Sequence, residues 1–168
     1  MEPIEAGRPA LSAPAPLHDG HDLEPFQCGV ASLDEWLKRR AHGNQESGAS
    51  RSSVIAVGNR VVGYYCLASG AIAAFDAPGK IRRNMPHPIP IAVLGRLAID
   101  RNWQGKGIGL ALLQDAVLRT AEAARILGIR GLVVHALSDS AKAFYERHGF
   151  TPSPTHPMTL LLSLKNLP

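Results

Sequence analysis

From residue 31 onward the apolar positions switch between helical and strand spacing. Leu33, Trp36, Leu37 and Ala41 share one face of a 3.6-residue period, and Ser32 with Glu35 forms an S-x-x-E capping box that predicts the helix start. The glycine-punctuated stretch 43–51 predicts its end. Residues 52–57 and 60–71, with β-branched residues either side of Gly58-Asn59, predict a hairpin. Residues 91–99 are apolar except at Gly95 and Arg96 and predict a buried strand. A long helix follows over 107–127, with Leu113, Val117, Ala121 and Ala124 inward and Asp115, Arg119 and Glu122 outward. Then come a buried strand over 131–136, a short helix capped by Asp139 and running to Arg147, and a last strand over 159–164. One strand–helix–strand crossover spans 91–136. The class is therefore α/β, with a mixed sheet that holds a parallel pair at the crossover.

Two segments lie outside this pattern. Residues 1–29 are rich in Pro and Gly and read as a tail (1–12), one short strand near 13–17, and a loop. Residues 76–90 hold four prolines and the basic residues Lys80, Arg82, Arg83 and His87, and read as a loop walling an active site. The 168 residues fit a single domain. Two distant cysteines, Cys28 and Cys66, exclude a disulfide scaffold or a structural zinc cluster and point to a reducing cytoplasm. No apolar run is long enough to span a bilayer, and the acidic N-terminus does not resemble a signal peptide. A net charge of +4 fits an anionic ligand or nucleic acid.

The segment that carries chemistry begins where the 91–99 strand ends. Gln104, Gly107 and Gly109 fit Q/R-x-x-G-x-G/A at a strand-to-helix junction. Glycines let backbone approach a phosphate, and the first helical turn supplies aligned N–H donors. A Rossmann fingerprint would need G-x-G-x-x-G with a later acidic residue. A P-loop would need Ser or Thr after Gly105-Lys106, where Gly107 stands instead. A tight turn without a ligand is the remaining alternative.

A second segment decides between them. Ser138-Asp-Ser-Ala-Lys-Ala-Phe-Tyr-Glu-Arg-His-Gly-Phe150 follows the next strand. Together the two segments resemble the GNAT N-acetyltransferase superfamily over nearly the whole chain after residue 25. Within it, Phe26-Gln-Cys-Gly, Leu33-Asp-Glu-Trp-Leu37, Val62-Gly-Tyr-Tyr65 and Pro90-Ile-Ala-Val-Leu-Gly-Arg-Leu-Ala-Ile-Asp100 are similar to the TacT-type acetyltransferase toxins of type II toxin–antitoxin pairs. The resemblance implies a GNAT fold, with a mixed central sheet flanked by helices and a splayed parallel strand pair that holds acetyl-CoA. Leu97, Ala98, Ile99, Gln104, Gly105, Lys106, Gly107, Ile108 and Gly109, with Asp139, Ser140 and Phe144, are the implied cofactor-binding residues. No metal is implied. The implied partners are aminoacyl-tRNA as substrate, a ribbon–helix–helix antitoxin, a second copy in a homodimer, and operator DNA through the antitoxin complex alone. The implied location is the cytoplasm. The Pro-rich head before Leu17 matches none of these motifs.

Acetyl transfer from a thioester needs an unprotonated amine, stabilisation of the developing oxyanion, and a proton for the departing thiolate. Tyr145 is the expected proton donor, with Phe144 packing the helix and Tyr145 directed elsewhere; the backbone N–H of Leu97 or Ile99 would polarise the carbonyl or pin the pantetheine. The strand offers no general base, since Arg96 is its only charge. An α-amino group, titrating near 7.7–8.0 and lower once its carboxylate is esterified, needs less help than lysine near 10.4. Arg96 would face either an anionic ligand or a buried carboxylate. In the resembled fold Lys38, Arg39 and Arg40 and the cluster Lys80, Arg82 and Arg83 flank its strand. Arg39, Arg40, Arg82, Arg83 and Arg96 are therefore the expected tRNA contacts.

The remaining histidines read as structural. His18 and His21 sit in a solvated loop, His135 in a buried strand, and His148 at a helix C-terminus. Two other functions compete. A small-amine acetyltransferase would want an acidic cleft, and a DNA-binding corepressor would have no use for intact glycines and Tyr145.

Overall fold

The structure, a computed structural model, describes residues 10–165. The elements run β1 (Ala15–Pro16), α1 (Ala31–Ser47), β2 (Arg51–Val57), β3 (Arg60–Ile72), α2 (Gly79–Arg82), β4 (Ile89–Ile99), α3 (Ile108–Ala123), β5 (Gly131–His135), α4 (Asp139–Arg147), β6 (Thr151–Pro152) and β7 (Thr159–Ser163). Short 3₁₀ turns lie at Ala74–Asp76 and Arg101–Trp103. The seven strands form one mixed sheet in the order β1-β2-β3-β4-β5-β7-β6. The crossover pair is parallel, in the register Ala92↔Leu132, Val93↔Val133 and Leu94↔Val134.

The chain divides into two compact units. The first takes residues up to Cys66 together with Arg96–Leu113. Its core is Leu17, Phe26, Leu37, Val54, Val61 and Tyr64, joined by Ala98 from the end of β4. Leu11 and Ser12, expected in the tail, are instead tied to β2: Leu11 bridges Val57, and the Ser12 N–H donates to the Ala56 carbonyl at 2.8 Å. The earlier part of that tail lies outside the described residues. The second unit takes Leu67–Gly95 and the chain from Gln114 on, around Ile81, Ile89, Ile91, Val133 and Leu161. There β5 and β7 pair antiparallel, as do β6 and β7. β6 is a two-residue strand that no periodicity announces.

Several local expectations are corrected. Ser32 lies inside α1, whose N-cap is Val30 with no side-chain cap, so no capping box forms. Asp34 does related work one turn earlier, accepting the Cys28 N–H at 2.9 Å. The buried face of α3 carries Ile108, Leu112, Leu113, Ala116 and Thr120 rather than Val117, Ala121 and Ala124. The helix also ends at Ala123, leaving Ile126 and Leu127 exposed. Ser138, not Asp139, caps α4, its hydroxyl accepting the Ala141 N–H at 3.1 Å. The 76–90 segment is not wholly loop, since Gly79–Arg82 winds into one turn whose Ile81 enters the core.

Candidate active site

In the first unit the end of β4 leads through the 3₁₀ turn at Arg101–Trp103 into the glycine turn, and backbone conformation shows why glycine stands there. Gly105 and Gly107 have φ of 77° and 80°, the left-handed region that side chains other than glycine rarely adopt. No atom lies within 4 Å of where a Cβ would stand on either, so the space outside them is open. The Gly107 carbonyl accepts the Ala111 N–H at 3.1 Å, which starts α3. The first amides of α3 therefore have no intrahelical acceptor, and their dipoles add at an exposed turn. Such an open, donor-rich turn suits a pyrophosphate.

The turn is held from behind. Asp100 is 1% exposed; one carboxylate oxygen accepts the Gln27 N–H at 3.1 Å and the other the Asn102 N–H at 3.0 Å. The Arg101 N–H donates to the Gln27 carbonyl at 2.8 Å. The Gln104 side-chain amide donates to the carbonyls of Cys28 and Ile99, both at 2.9 Å. Gln104, expected as a ligand residue, thus acts as a brace for the turn. Lys106 is exposed, its ammonium 5.5 Å from the Trp103 ring centroid. Gly63 on β3 matters in a way its sequence did not reveal: a Cβ there would stand 3.0 Å from Leu112, 3.1 Å from Ile108 and 3.2 Å from Ile99. Its missing side chain lets the first turn of α3 settle against the strand. Ala98 is buried in the core, while Leu97 and Ile99, on the opposite face by strand alternation, are half-buried.

Among the described residues Arg96 does not take the carboxylate partner that was one of its two expected alternatives. Its guanidinium lies over Trp36, 4.4 Å from the ring centroid, and no ion pair to a described carboxylate replaces that contact. Trp36 in turn stacks on Tyr64 with 6.0 Å between centroids and 8° between planes, and the Tyr64 hydroxyl donates to the Leu33 carbonyl at 2.7 Å. Burial drives the Tyr64 phenol pKa upward, so the stack is fixed and neutral beneath one cation. Arg39 and Arg40, exposed and three and four residues after Trp36, share that side of α1. Of the three, Arg96 is the one that sits on the aromatic stack, and Arg39 and Arg40 follow Trp36 along the helix.

The second unit holds Tyr145, Asp139, Ser140, Phe144, Arg82 and Arg83. Here the expected division of labour is reversed. Tyr145 is the buried ring, at 8% exposure, while Phe144 is half-buried. Tyr145 packs edge-on against Phe144 and Phe150, with centroids at 5.3 and 5.4 Å. Burial pushes its phenol up to about 12, so it keeps its proton throughout the neutral range. A phenol held protonated can donate to a developing thiolate. Asp139 and Ser140 are exposed at the start of α4, where the Ser140 and Ser138 hydroxyls lie 3.1 Å apart. Arg82 and Arg83 are exposed at the end of α2. His135 is exposed rather than buried, and its Nδ1 meets the Thr159 hydroxyl at 3.0 Å. Arg130, missed in the sequence, holds α2 through its guanidinium, which donates to the carbonyls of Ile81 and Lys80 at 3.1 and 2.9 Å. An arginine one residue ahead of a buried strand was the available signal.

The chain is similar to known proteins over most of its length. The family model for the acetyltransferase (GNAT) domain matches residues 49–152. A tRNA-acetylating toxin of Mycobacterium tuberculosis is 48% identical over 155 residues, covering 92% of this chain and 93% of that protein. Among solved structures, AtaT complexed with acetyl-methionyl-tRNAfMet matches with a TM-score of 0.85 and 30% identity, over 93% of this chain and 96% of that one. A tyrosine-to-phenylalanine mutant of AtaT, bound to the C-terminus of the antitoxin AtaR and acetyl-CoA, matches with a TM-score of 0.78 and 29% identity, over 92% and 94%.

Proposed function

Since the chain belongs to the GNAT acetyltransferase family and is an acetyl-CoA-dependent N-acetyltransferase, we propose that its acceptor is the α-amino group of an aminoacyl-tRNA and that it acts as the toxin of a toxin–antitoxin pair. The 48% identity to a tRNA-acetylating toxin across nearly the full length of both chains carries this reading. The residues of β4 agree with it, because a strand whose only charge is Arg96 suits an amine that needs no strong base.

The open turn at Gly105 and Gly107 and the first amides of α3 fit a pyrophosphate, so these residues would hold acetyl-CoA. Acetyl-CoA, when bound, supplies an acetyl group activated as a thioester. The chain's own task is to place the amine, steady the carbonyl oxygen and manage protons. A backbone N–H of Leu97 or Ile99 would donate to the carbonyl oxygen as its charge grows. The amine nitrogen bonds to the acetyl carbon and loses its proton to water. The Tyr145 hydroxyl would donate its proton to the departing sulfur and recover it from solvent. Arg96 on its aromatic platform, with Arg39, Arg40, Arg82 and Arg83, would contact tRNA phosphates. Asp139, Ser140 and Phe144 would line the coenzyme, and Gln104 would keep its turn in shape. The toxin would work in the cytoplasm as a homodimer, held by a ribbon–helix–helix antitoxin that alone contacts operator DNA.

The test pairs charged with uncharged tRNA in the presence of labelled acetyl-CoA. Label should enter the charged tRNA and leave with the amino acid on mild alkaline hydrolysis. Equal labelling of uncharged tRNA, or none of either, would overturn the assignment.

A further inference from the structure

Four basic residues of the second unit line a pocket of about 300 Å³. Lys80 and Arg83 enter it from α2 and its end, Arg130 from the residue before β5, and Lys165 from just past β7. No aspartate or glutamate lines it. Among the described residues, none of these four cations is in an ion pair. Like charges facing one space repel unless something negative enters. The arrangement is also built rather than incidental. Arg130 is half-buried, and two of its five N–H groups hold the backbone of Lys80 and Ile81. One side chain therefore fixes α2 and sets a rigid charge in the wall. The Ser163 hydroxyl, also in the lining, accepts the Lys165 N–H at 3.2 Å and keeps its own hydrogen to donate.

We propose that this pocket binds a phosphate group. A carboxylate offers two acceptor oxygens, whereas a phosphate offers three or four arranged to meet an arginine fork, lysines and a hydroxyl together. The group can come from an RNA backbone or from a small phosphorylated molecule. The RNA source is favoured by position and rests on the acceptor proposed above. Gly149 lines the pocket only four residues after Tyr145, and the Phe150 N–H donates to the Tyr145 carbonyl at 3.1 Å. A polynucleotide presenting its amine to Tyr145 would carry phosphates past this pocket. Beyond the exposed Arg82, recognition then extends into a concave site in which Arg130 and Lys165 join Lys80 and Arg83.

The protein saturated with coenzyme A, so that the coenzyme's own phosphate sites are filled, is titrated with inorganic phosphate and followed by ³¹P NMR. Lys165→Glu and Lys80→Glu both change exposed side chains and so leave the core intact. Saturable phosphate binding that weakens about tenfold in each variant, with coenzyme A affinity by calorimetry unchanged, supports the pocket. No saturable binding, or binding unaltered in both variants, overturns it. Adding uncharged tRNA to the phosphate-loaded protein separates the sources. Displacement of phosphate assigns the pocket to RNA backbone, and tRNA binding without displacement assigns it to a small phosphorylated molecule. Because no acetyl transfer is involved, the pocket can fail while acetylation of charged tRNA stands, and the reverse.

Discussion

Replacing Tyr145 by phenylalanine separates chemistry from packing, because the ring does one job and the hydroxyl the other. The ring contacts to Phe144 and Phe150, at 5.3 and 5.4 Å, survive the change. The hydroxyl has no hydrogen bond to another described residue, so its removal should alter stability by at most about 0.5 kcal/mol. For a domain of this size that moves Tm by no more than about 2 °C. Tyr145→Ala, by contrast, empties a site that is 8% exposed, for a loss of about 3–5 kcal/mol and a Tm lower by about 10 °C. Turnover of the phenylalanine variant should fall by about 10²–10⁴-fold, the usual contribution of a positioned acid. The assay is single-turnover acetylation of charged tRNA, quenched fast enough to outrun ester hydrolysis. The wild-type pH profile adds a second check. With the phenol at about 12, under about 1% would be ionised at pH 9.5, against about a quarter for an ordinary tyrosine. The rate should therefore rise as the α-amine deprotonates and then stay level to pH 9.5. A folded Tyr145→Phe variant within tenfold of wild type, or a wild-type decline centred near pH 10, would refute this assignment.

Gly107→Asp puts a side chain at φ 80° and a negative charge in the turn, and calorimetry should show coenzyme A affinity reduced by at least about a hundredfold, with little change in the circular dichroism spectrum. Gly63→Ala crowds the side chains of Leu112 and Ile108 and should lower stability by about 1–3 kcal/mol in urea titration, while raising the KM for acetyl-CoA because the crowded side chains belong to the first turns of α3. Arg82→Ala combined with Arg83→Ala should weaken tRNA binding and flatten its logarithmic salt slope by about 1.5, leaving coenzyme A affinity intact; an unchanged slope would count against phosphate contacts there.

The hairpin, the crossover and the glycine turn were legible because each rests on local chemistry: β-branched runs about Gly58-Asn59, an unbroken apolar strand, and glycines where φ must be positive. Tertiary contacts decided the rest. Ser32 and Glu35 satisfy a capping pattern, yet Asp34 is drawn to the Cys28 amide and the helix begins at Ala31. On α3 the polar Thr120 is buried because its hydroxyl donates to the Ala116 carbonyl at 2.7 Å, which let the buried face include a residue that hydrophobicity alone would place outside. The position of Arg96 in the strand was visible, but its seat on Trp36 required knowing that α1 lies across that strand end. The role of Gly63 is set by side chains more than thirty residues away and leaves no trace in its own neighbourhood of the chain.

The bracing of the glycine turn limits how that motif can travel. Its shape is fixed by Gln27 and Cys28, which lie 73 and 76 residues earlier than the groups they bind, so the strand, turn and helix are not a portable cassette. Grafted onto another scaffold with its glycines intact, the segment would lose one of the two backbone acceptors for Gln104, the Cys28 carbonyl, and one of the two amides held by Asp100, that of Gln27. Recombination among related chains faces the same restriction. A crossover point between residues 28 and 100 must join parents whose Gln27–Cys28 backbones already match the incoming turn, which makes the N-terminal third an inherited companion of the coenzyme site.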